Sequence, residues 1–186
     1  MFRIYTIEDT VRVDPLYFEL DLEESVLKVL RNRYERRIDP DFGIVLAAWN
    51  PQNISEGKVI PGDGASYHKL SFDLLAWKPE LNEIIEGEIS EIVEFGAFVR
   101  IGPLDGLVHL SQITNDFLSF DKKIPAFVGK ESKKVVKKGD VVTAKISTVS
   151  MKGGIADTKI GLTMRPEGLG KDEWLVAAEE KKARKK

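Results

Sequence analysis

Residues 87–113 read GEISEIVEFGAFVRIGPLDGLVHLSQI, and this stretch decides the fold of the second half of the chain. Apolar and polar residues alternate in its first part, which predicts a β-strand over Ile85–Val93. A second strand, Phe95–Ile101, is entered through a glycine bend. Turn residues then lead into a third strand at Leu107–Leu110. In the first strand, simple alternation places one set of residues on one face (Ile85, Gly87, Ile89, Glu91) and a second set on the other (Glu86, Glu88, Ser90, Ile92).

Two more strands are predicted downstream, at Val141–Val149 and Lys159–Met164, with a hairpin loop that opens at Lys152-Gly153-Gly154. The segment Thr114–Lys138 between the third and fourth strands shows no regular pattern and is rich in lysine, so we interpret it as irregular. Five strands with this spacing of turns fit a closed barrel better than a flat sheet.

The first half of the chain predicts one helix among several strands. Residues 2–7 alternate as a short strand, which Thr10–Val13 could extend. Asp21 is placed to cap a helix that Asp39-Pro40-Asp41 ends. Further strands are predicted at Gly43–Trp49, Lys58–Ile60 and Ser66–Trp77. We therefore expect an α+β protein with a β-α-β-β-β domain over residues 1–80, a barrel over 81–166, and a C-terminal short helix with a basic tail over 167–186. The tail is alternatively a solubilising extension without a further function.

Composition excludes several kinds of site. The chain has no cysteine and only two histidines, so thiolate metal sites and disulfides are excluded and a histidine-based zinc site is not expected. No run of 18 apolar residues predicts a membrane helix, and the first residues lack the apolar stretch of a signal peptide. We expect a cytoplasmic protein with no metal, no cofactor and no membrane partner.

The net charge of −2 conceals a local asymmetry. Residues 82–94 contain five acidic side chains and no basic one, whereas residues 95–165 contain twelve Lys or Arg against six Asp or Glu. A local positive surplus favours a polyanionic partner more than the overall charge suggests. A solvated basic face is the alternative interpretation.

Exposed aromatic side chains with basic neighbours are what a barrel needs to bind single-stranded nucleic acid. Phe95 and Phe98 flank Gly96, so both rings can reach one face, and His109 on the next strand offers a third planar group. The alternative for both phenylalanines is to fill the barrel core. The predicted RNA-binding residues are Phe95, Phe98, Arg100, His109, Lys145 and Lys159.

The stretch from Leu81 to Arg165 resembles a known RNA-binding family. The residues that carry the resemblance are the Phe95-Gly96-Ala97-Phe98-Val99 string and the Asp105-Gly106-Leu107-Val108-His109-Leu110-Ser111 string. They are similar to the OB-fold barrels named after the first protein of the small ribosomal subunit. The resemblance implies an RNA-binding face built from Phe95, Phe98 and His109, with a basic residue on the last strand, here Lys159. The family often has an aspartate near the end of the fourth strand, where this sequence has Ser150.

The first domain narrows the resemblance. Four motifs precede the barrel in order: Asp14-Pro15-Leu16-Tyr17-Phe18, Gly43-Ile44-Val45-Leu46-Ala47, Ile54-x-x-Gly57-x-x-x-Pro61-Gly62-x-Gly64, and Tyr67-x-x-x-Ser71-Phe72-x-x-x-Ala76-Trp77-x-Pro79. Together they resemble the larger stalk subunits of archaeal RNA polymerase, known as the E-prime type, which are related to the seventh subunit of eukaryotic RNA polymerase II. This resemblance covers essentially the whole chain.

The resemblance implies a function. The first domain would be a truncated RNP-like tip that docks on the polymerase core, and the barrel would bind nascent single-stranded RNA, with promoter DNA as a further candidate ligand. The family also implies a heterodimer with a smaller helical stalk protein of the polymerase, known as the F subunit. The predicted docking loop comprises Ile54, Gly57, Pro61, Gly62, Asp63 and Gly64. Two glycines and a proline make a stiff, narrow projection; an ordinary hairpin turn is the alternative.

Two other functions are weighed against this one. A free-standing RNA-binding or translation-associated protein could share the barrel without joining a polymerase. A nuclease would need carboxylates clustered from several elements, but the dense acidic group Glu83–Glu94 lies along one strand. We therefore expect no catalysis by the chain itself.

Overall fold

A computed structural model describes residues 1–121, 125–151 and 154–174 of the 186-residue chain. The chain forms two compact units: residues 1–78 with residues 154–156 make up the first, and the other described residues make up the second. Among the described residues, no helix is both long and apolar enough to cross a bilayer.

The first unit is an antiparallel sheet with one helix. Its strand order is β1-β5-β3-β2, and β4 pairs with part of β5. Strands β1 and β5 pair over their whole length, since Phe2 lies opposite Trp77 and Val13 lies opposite Ser66. The elements are β1 (Phe2–Val13), a 3-10 turn (Pro15–Tyr17), α1 (Leu22–Tyr34), β2 (Ile38–Asp39), β3 (Gly43–Gln52), β4 (Lys58–Val59) and β5 (Ser66–Trp77).

Helix α1 begins at a capped turn and packs through its apolar side. The side chain of Asp21 accepts a hydrogen bond from the backbone N–H of Glu23 at 3.2 Å, which satisfies a donor with no partner inside the helix. Val26 and Leu30, one turn apart, are fully buried in the same core as Phe72 of β5. The helix therefore covers one face of the sheet.

The predicted end of this helix, at Asp39-Pro40-Asp41, is wrong, because the helix ends at Tyr34. Arg36 has a positive φ of 61°, which a helix does not allow. Its backbone N–H donates to the carbonyl oxygen of Val45 at 2.9 Å, so the chain already runs alongside β3 there. Pairing with β3 overrides the helix-forming tendency of the arginines.

The second unit contains a closed five-stranded barrel of order β12-β13-β8-β7-β6, which confirms the predicted OB-fold class. Strand β13 runs parallel to β8, and the other pairs are antiparallel. The barrel strands are β6 (Ile84–Val93), β7 (Gly96–Arg100), β8 (Asp105–His109), β12 (Val141–Ser150) and β13 (Lys159–Thr163), with 3-10 turns at Leu110–Gln112 and Ile155–Asp157.

The simple alternation predicted for the first barrel strand is wrong at its far end. The register of β6 against β7 shifts between Ile89 and Glu91, which is the mark of a β-bulge. As a result Ile89 and Ile92 are both buried, although they are three residues apart, and Glu91 is exposed. Beyond the bulge, the positions whose side chains point into the barrel are therefore shifted by one residue along β6.

Three short strands within the described part of residues 114–138 form a second small sheet, so the prediction of an irregular segment there is wrong. Its order is β11-β10-β9, with β9 (Leu118–Asp121), β10 (Ala126–Gly129) and β11 (Val135–Lys137). Phe120, Phe127 and Val136 lie directly opposite one another and form its inner row. Strands of three or four residues are too short to show a periodic pattern in sequence. The many lysines were therefore the main signal in this segment, and they suggested an irregular structure.

The segment after the barrel returns to it. The backbone groups of Gly170 and Thr143 exchange two hydrogen bonds of 2.8 Å. The Lys171 ammonium lies 3.0 Å from a carboxylate oxygen of the buried Asp140. Residues 172–174 are helical. The rest of the predicted C-terminal helix and the basic tail lie outside the described residues.

Candidate nucleic-acid interface

A cavity of about 550 Å³ opens on the outer surface of the barrel. Strands β7 and β8 contribute Phe98, Asp105, Leu107 and His109 to its walls, and β13 contributes residues from Lys159 to Leu162. The pairing explains the convergence: Phe98 lies opposite Leu107, and Gly161 of β13 lies opposite the same leucine on its other side. An aromatic ring, an imidazole and an ammonium group thus share one concave surface.

Phe95 and Phe98 form an aromatic pair at one side of this cavity. Their ring centroids are 6.4 Å apart with an interplanar angle of 84°, an edge-to-face arrangement. Phe98 is half-buried, and Phe95 is 53% exposed. Neither ring is part of the buried core, so the interpretation of the pair as core filler is wrong for this barrel.

His109 is fixed by the turn that follows it. Its Nδ1 accepts a hydrogen bond from the backbone N–H of Ser111 at 3.3 Å and lies 2.9 Å from the hydroxyl of the same serine. A neutral imidazole whose Nδ1 accepts must carry its proton on Nε2. The ring therefore presents a donor and a flat face on the exposed side of the strand.

The three predicted basic residues occupy different places. Lys159 lines the cavity. Arg100 is exposed two residues beyond Phe98, and its Nε lies 4.0 Å from a carboxylate oxygen of Asp105. Lys145 is outside the cavity lining, on β12, where it pairs with Ile84 and Thr163. The structure therefore brings together Phe95, Phe98, His109 and Lys159, sets Arg100 at their edge and leaves Lys145 apart.

Two polar residues of the cavity were missed by sequence reasoning. Asp105 was interpreted only as a turn residue, yet it lines the cavity and accepts a hydrogen bond from the Ser90 hydroxyl at 2.8 Å. Gln112 lines the cavity too, and its Oε1 accepts from the Thr163 hydroxyl at 2.9 Å. The short β7–β8 hairpin could have indicated Asp105, because it pairs this residue with Arg100, two residues beyond Phe98. The Gln112 contact joins residues 51 apart, which no local pattern reveals.

The predicted docking loop has a projecting end and a buried base. Pro61, Gly62 and Gly64 are exposed, and Gly62 has a φ of +89° with nothing within 4 Å of an added Cβ. Ile54, in contrast, packs against the core of the first unit. A Cβ at Gly57 would lie 2.9 Å from the imidazole of His68, so this glycine allows close packing and does not form part of the projection.

Asp63 faces inward and braces the loop. Its two carboxylate oxygens accept hydrogen bonds from Nε and Nη2 of Arg12 at 2.8 and 2.7 Å, from the Tyr67 hydroxyl at 2.7 Å, and from the N–H of Ala65 at 3.2 Å. Chiefly because of Arg12, and then of Tyr67, the pKa of Asp63 lies well below its usual range. The same contact raises the pKa of the Tyr67 phenol. Arg12 also pairs with Asp14, next to the Pro15–Tyr17 turn.

Among the residues that the structure describes, no group of three or more His, Asp or Glu side chains is placed to hold a metal ion. The acidic side chains of β6 are distributed along one strand, and the bulge turns Glu91 away from the face it was predicted to share with Ile89.

Comparison with known proteins agrees with both units. Residues 78–160 match the family described as S1 RNA binding domain. Residues 8–64 match the SHS2 domain found in the N terminus of Rpb7p/Rpc25p/MJ0397. The fold and these matches define an RNA polymerase subunit of the Rpb7 type with an S1 RNA-binding domain.

Full-length relatives give the particular family. The chain is 43% identical over 175 residues to the DNA-directed RNA polymerase subunit Rpo7 of Sulfolobus acidocaldarius, covering 94% of this chain and 95% of that protein. It is 25% identical over 141 residues to the DNA-directed RNA polymerase II subunit rpb7 of Schizosaccharomyces pombe, covering 74% of this chain and 80% of that one. The chain belongs to the Rpo7 family of RNA polymerase subunits. The predicted family is thereby confirmed, and the free-standing alternative is set aside.

Proposed function

We propose that the chain is a non-catalytic stalk subunit that docks on the polymerase core through its first domain, pairs with the smaller helical stalk protein and binds nascent single-stranded RNA on the barrel. The observation that carries the RNA-binding part is the convergence of Phe98, His109 and Lys159 on one cavity, with Phe95 exposed beside it. Planar groups stack on bases, and a nearby ammonium group pairs with phosphate.

The expected binding is modest and tolerant of sequence. Stacking on an aromatic side chain contributes about 1–3 kcal/mol per base, whichever base is present. Phosphate contacts make the affinity fall with salt. Docking on the polymerase would keep the barrel near the transcript, and the high local concentration would compensate for weak intrinsic affinity.

Docking is supported by the shape and surface of the predicted docking loop. Val59 and Ile60 are exposed where the loop projects, and Leu16 of the neighbouring turn is 88% exposed. The turn and the loop lie side by side, since an added Cβ at Gly64 would be 3.7 Å from Cγ of Pro15. Exposed apolar side chains on a braced projection suit insertion into a protein cleft.

Pairing with the smaller stalk protein rests on the family and on a second apolar surface. Phe2 and Ile4 are exposed on the edge strand β1, on the face that α1 does not cover. Ile4 lies opposite Leu75, so the apolar row continues across the sheet. A protein partner on this face would remove these side chains from water.

Crosslinking of nascent RNA in a reconstituted polymerase tests the RNA-binding proposal. Phe98→Ala combined with Lys159→Ala should reduce crosslinking to the barrel by at least about fivefold, since one stacked base alone is worth about 1 kcal/mol or more. Val141→Ala, an exposed apolar position of the barrel outside the cavity, is the matched control and should change nothing. Unchanged crosslinking in the double variant contradicts the proposed face.

Docking and pairing are tested by copurification. Variants of Leu16 and Ile60 to Asp should lose the polymerase core and retain the smaller stalk protein, whereas Phe2→Asp with Ile4→Asp should lose the smaller stalk protein first. If the Leu16 and Ile60 variants still bind the core at wild-type strength, the docking surface lies elsewhere.

A further inference from the structure

The small sheet β9–β11 has an outer face that the proposed function leaves unused. Ser119, Val128 and Val135 lie directly opposite one another on this face, because their neighbours Phe120, Phe127 and Val136 form the inner row. The inner row is packed, with the two phenylalanine rings 5.6 Å apart. The sheet is therefore packed on its inner side, whereas its outer side is exposed at Ser119 and Val135 and buried at Ala126.

An exposed aromatic ring stands at the end of the open face. Phe117 immediately precedes β9, and 77% of its surface is accessible to solvent. The backbone N–H of Lys130 donates to the carbonyl oxygen of Phe117 at 2.9 Å, which continues the pairing of β9 with β10 by one step. Strand alternation then puts Phe117 and Lys130 on the same side as Ser119 and Val128.

The backbone next to this ring is tied to the neighbouring turn. One carboxylate oxygen of Asp116 accepts hydrogen bonds from the backbone N–H of Ser132 at 2.8 Å, from its hydroxyl at 2.7 Å, and from the N–H of Glu131 at 3.1 Å. These bonds tie the start of β9 to the turn between β10 and β11. The backbone that carries Phe117 is thus held before a ligand binds, which lowers the ordering cost of binding.

The surroundings of the platform are basic. Residues 125–138 contain five lysines and one acidic residue, Glu131, and Asp121 of β9 lies in the same outer row as Lys137. Lys130, Lys133, Lys137 and Lys138 are exposed. Lys137 lies opposite Ala126, and hence on the outer face with Phe117. The negative charge of Asp116 is directed into the turn and away from this face.

We infer that the outer face of β9–β11 is a second binding site for single-stranded RNA, which extends the site in the barrel cavity; this inference rests on the proposed function of that cavity. An exposed phenylalanine supplies stacking, and the lysines supply phosphate contacts. The charge is complementary to a polyanion and unfavourable for a basic or apolar protein surface.

The two sites are close enough for one strand to occupy both. Gln112 lines the cavity, and Phe117 follows five residues later, so the chain between them spans at most about 18 Å. The Asn115 side chain accepts a hydrogen bond from Nε of Arg165 at 2.7 Å, which holds this connection against the end of β13. Single OB folds engage strands of about 4–16 nucleotides, and the longer part of that range fits a path that continues onto the small sheet.

RNA length separates the two sites in an experiment. The full chain is titrated with oligouridylates of about 5 and about 16 nucleotides. Phe117→Ala should leave the short RNA within about twofold of wild type and weaken the long RNA at least about fivefold. Lys130→Glu with Lys137→Glu should act in the same way and reduce the salt dependence, with a slope less negative by about 1.4 for two lost phosphate contacts. Lys130→Arg with Lys137→Arg retains the charge and should keep the affinity.

The outcomes distinguish the inference from the proposal on which it rests. If Phe98→Ala weakens both RNA lengths while the Phe117 and Lys130/Lys137 variants weaken neither, the inference is wrong and the barrel site stands. If Phe98→Ala weakens neither, the barrel site itself is wrong. If the Phe117 variant binds both RNAs normally but no longer copurifies with polymerase, the face binds protein and the inference is overturned. Thermal unfolding of each variant confirms that the small sheet is intact.

Discussion

Arg12 and Asp63 join the first strand of the tip domain to its projecting loop through two parallel hydrogen bonds of 2.8 and 2.7 Å. The two residues are 51 apart in sequence, and the pair is bidentate, which fixes direction as well as distance. A docking test that deletes Asp63 and Gly64 would therefore have two effects at once: it would shorten the loop, and it would leave Arg12 without this partner. A docking test needs milder changes that loosen the loop without shortening it.

Arg12→Lys should weaken assembly with the polymerase core by about two- to tenfold, because the lysine ammonium cannot engage both oxygens of Asp63 and the loop must then be ordered on binding. Competition between variant and wild type for a core enzyme lacking the stalk measures this loss. Lys69→Ala, which removes an exposed pair with Glu8 on the same sheet, is the control and should compete equally. Equal competition by both variants would show that the brace has no role in docking.

The stability of the tip domain should fall in acid because of Asp63. The pKa of this carboxyl group is lowered in the folded state. In the unfolded chain the pKa is about 3.9, so the unfolded chain takes up a proton at a pH where the folded protein still keeps the group ionised. This stabilisation is fully present above about pH 4 and is lost as the pH falls toward the lowered pKa of Asp63. Urea unfolding followed through the tip-domain tryptophans should show a larger loss in wild type than in Asp63→Asn, in which Asp73, whose pKa is also lowered by hydrogen bonds from Asn50 and Thr6, keeps its own contribution.

Tyr34 should show the opposite dependence at high pH. Burial, followed by the hydrogen bond that its hydroxyl donates to Asp9, raises the pKa of Tyr34 to about 12. The neutral phenol stabilises the fold below about pH 10, where the unfolded chain begins to ionise, and this contribution is lost as the pH rises to about 12. Tyrosinate absorbance should reveal a group that titrates near pH 12. Tyr34→Phe should abolish that step; if the step persists, it belongs to another tyrosine.

Gly96→Ala should disrupt the side of the barrel that we propose binds RNA. An added Cβ would lie 2.3 Å from the carbonyl oxygen of Val108 and 3.1 Å from Cα of His109, so the β7–β8 pair would have to separate. We expect a loss of about 1–3 kcal/mol in the free energy of unfolding and weaker RNA binding. Gly139→Ala is the control from the same unit: it has a φ of +86° and open space around it, and should change stability through backbone strain without affecting RNA.

Local patterns were sufficient for the elements whose apolar residues repeat over many positions. The twelve-residue strand β5 and the five barrel strands were predicted within a few residues. The proximity of Phe95, Phe98 and His109 could be predicted because they come from neighbouring strands of one short stretch.

The remaining features depend on contacts between distant residues or on departures from periodicity. The bulge in β6 moves Ile92 into the core, and no composition rule marks its position. The small sheet β9–β11 has strands too short to be recognised. Asp63 was assigned to the docking surface because it lies in the loop; only the register of β1 against β5 reveals that Arg12 and Tyr67 lie opposite each other beneath it.

The parallel pairing of β13 with β8 closes the barrel through only two residue pairs, Gly161 with Leu107 and Leu162 with Val108. Parallel pairs are slightly weaker per residue than antiparallel ones, so this is the seam at which the barrel opens first. Leu107, Gly161 and Leu162 also form the floor of the cavity. A transcript bound over these residues would hold β13 and β8 together. The protein would then resist unfolding more strongly while RNA is bound.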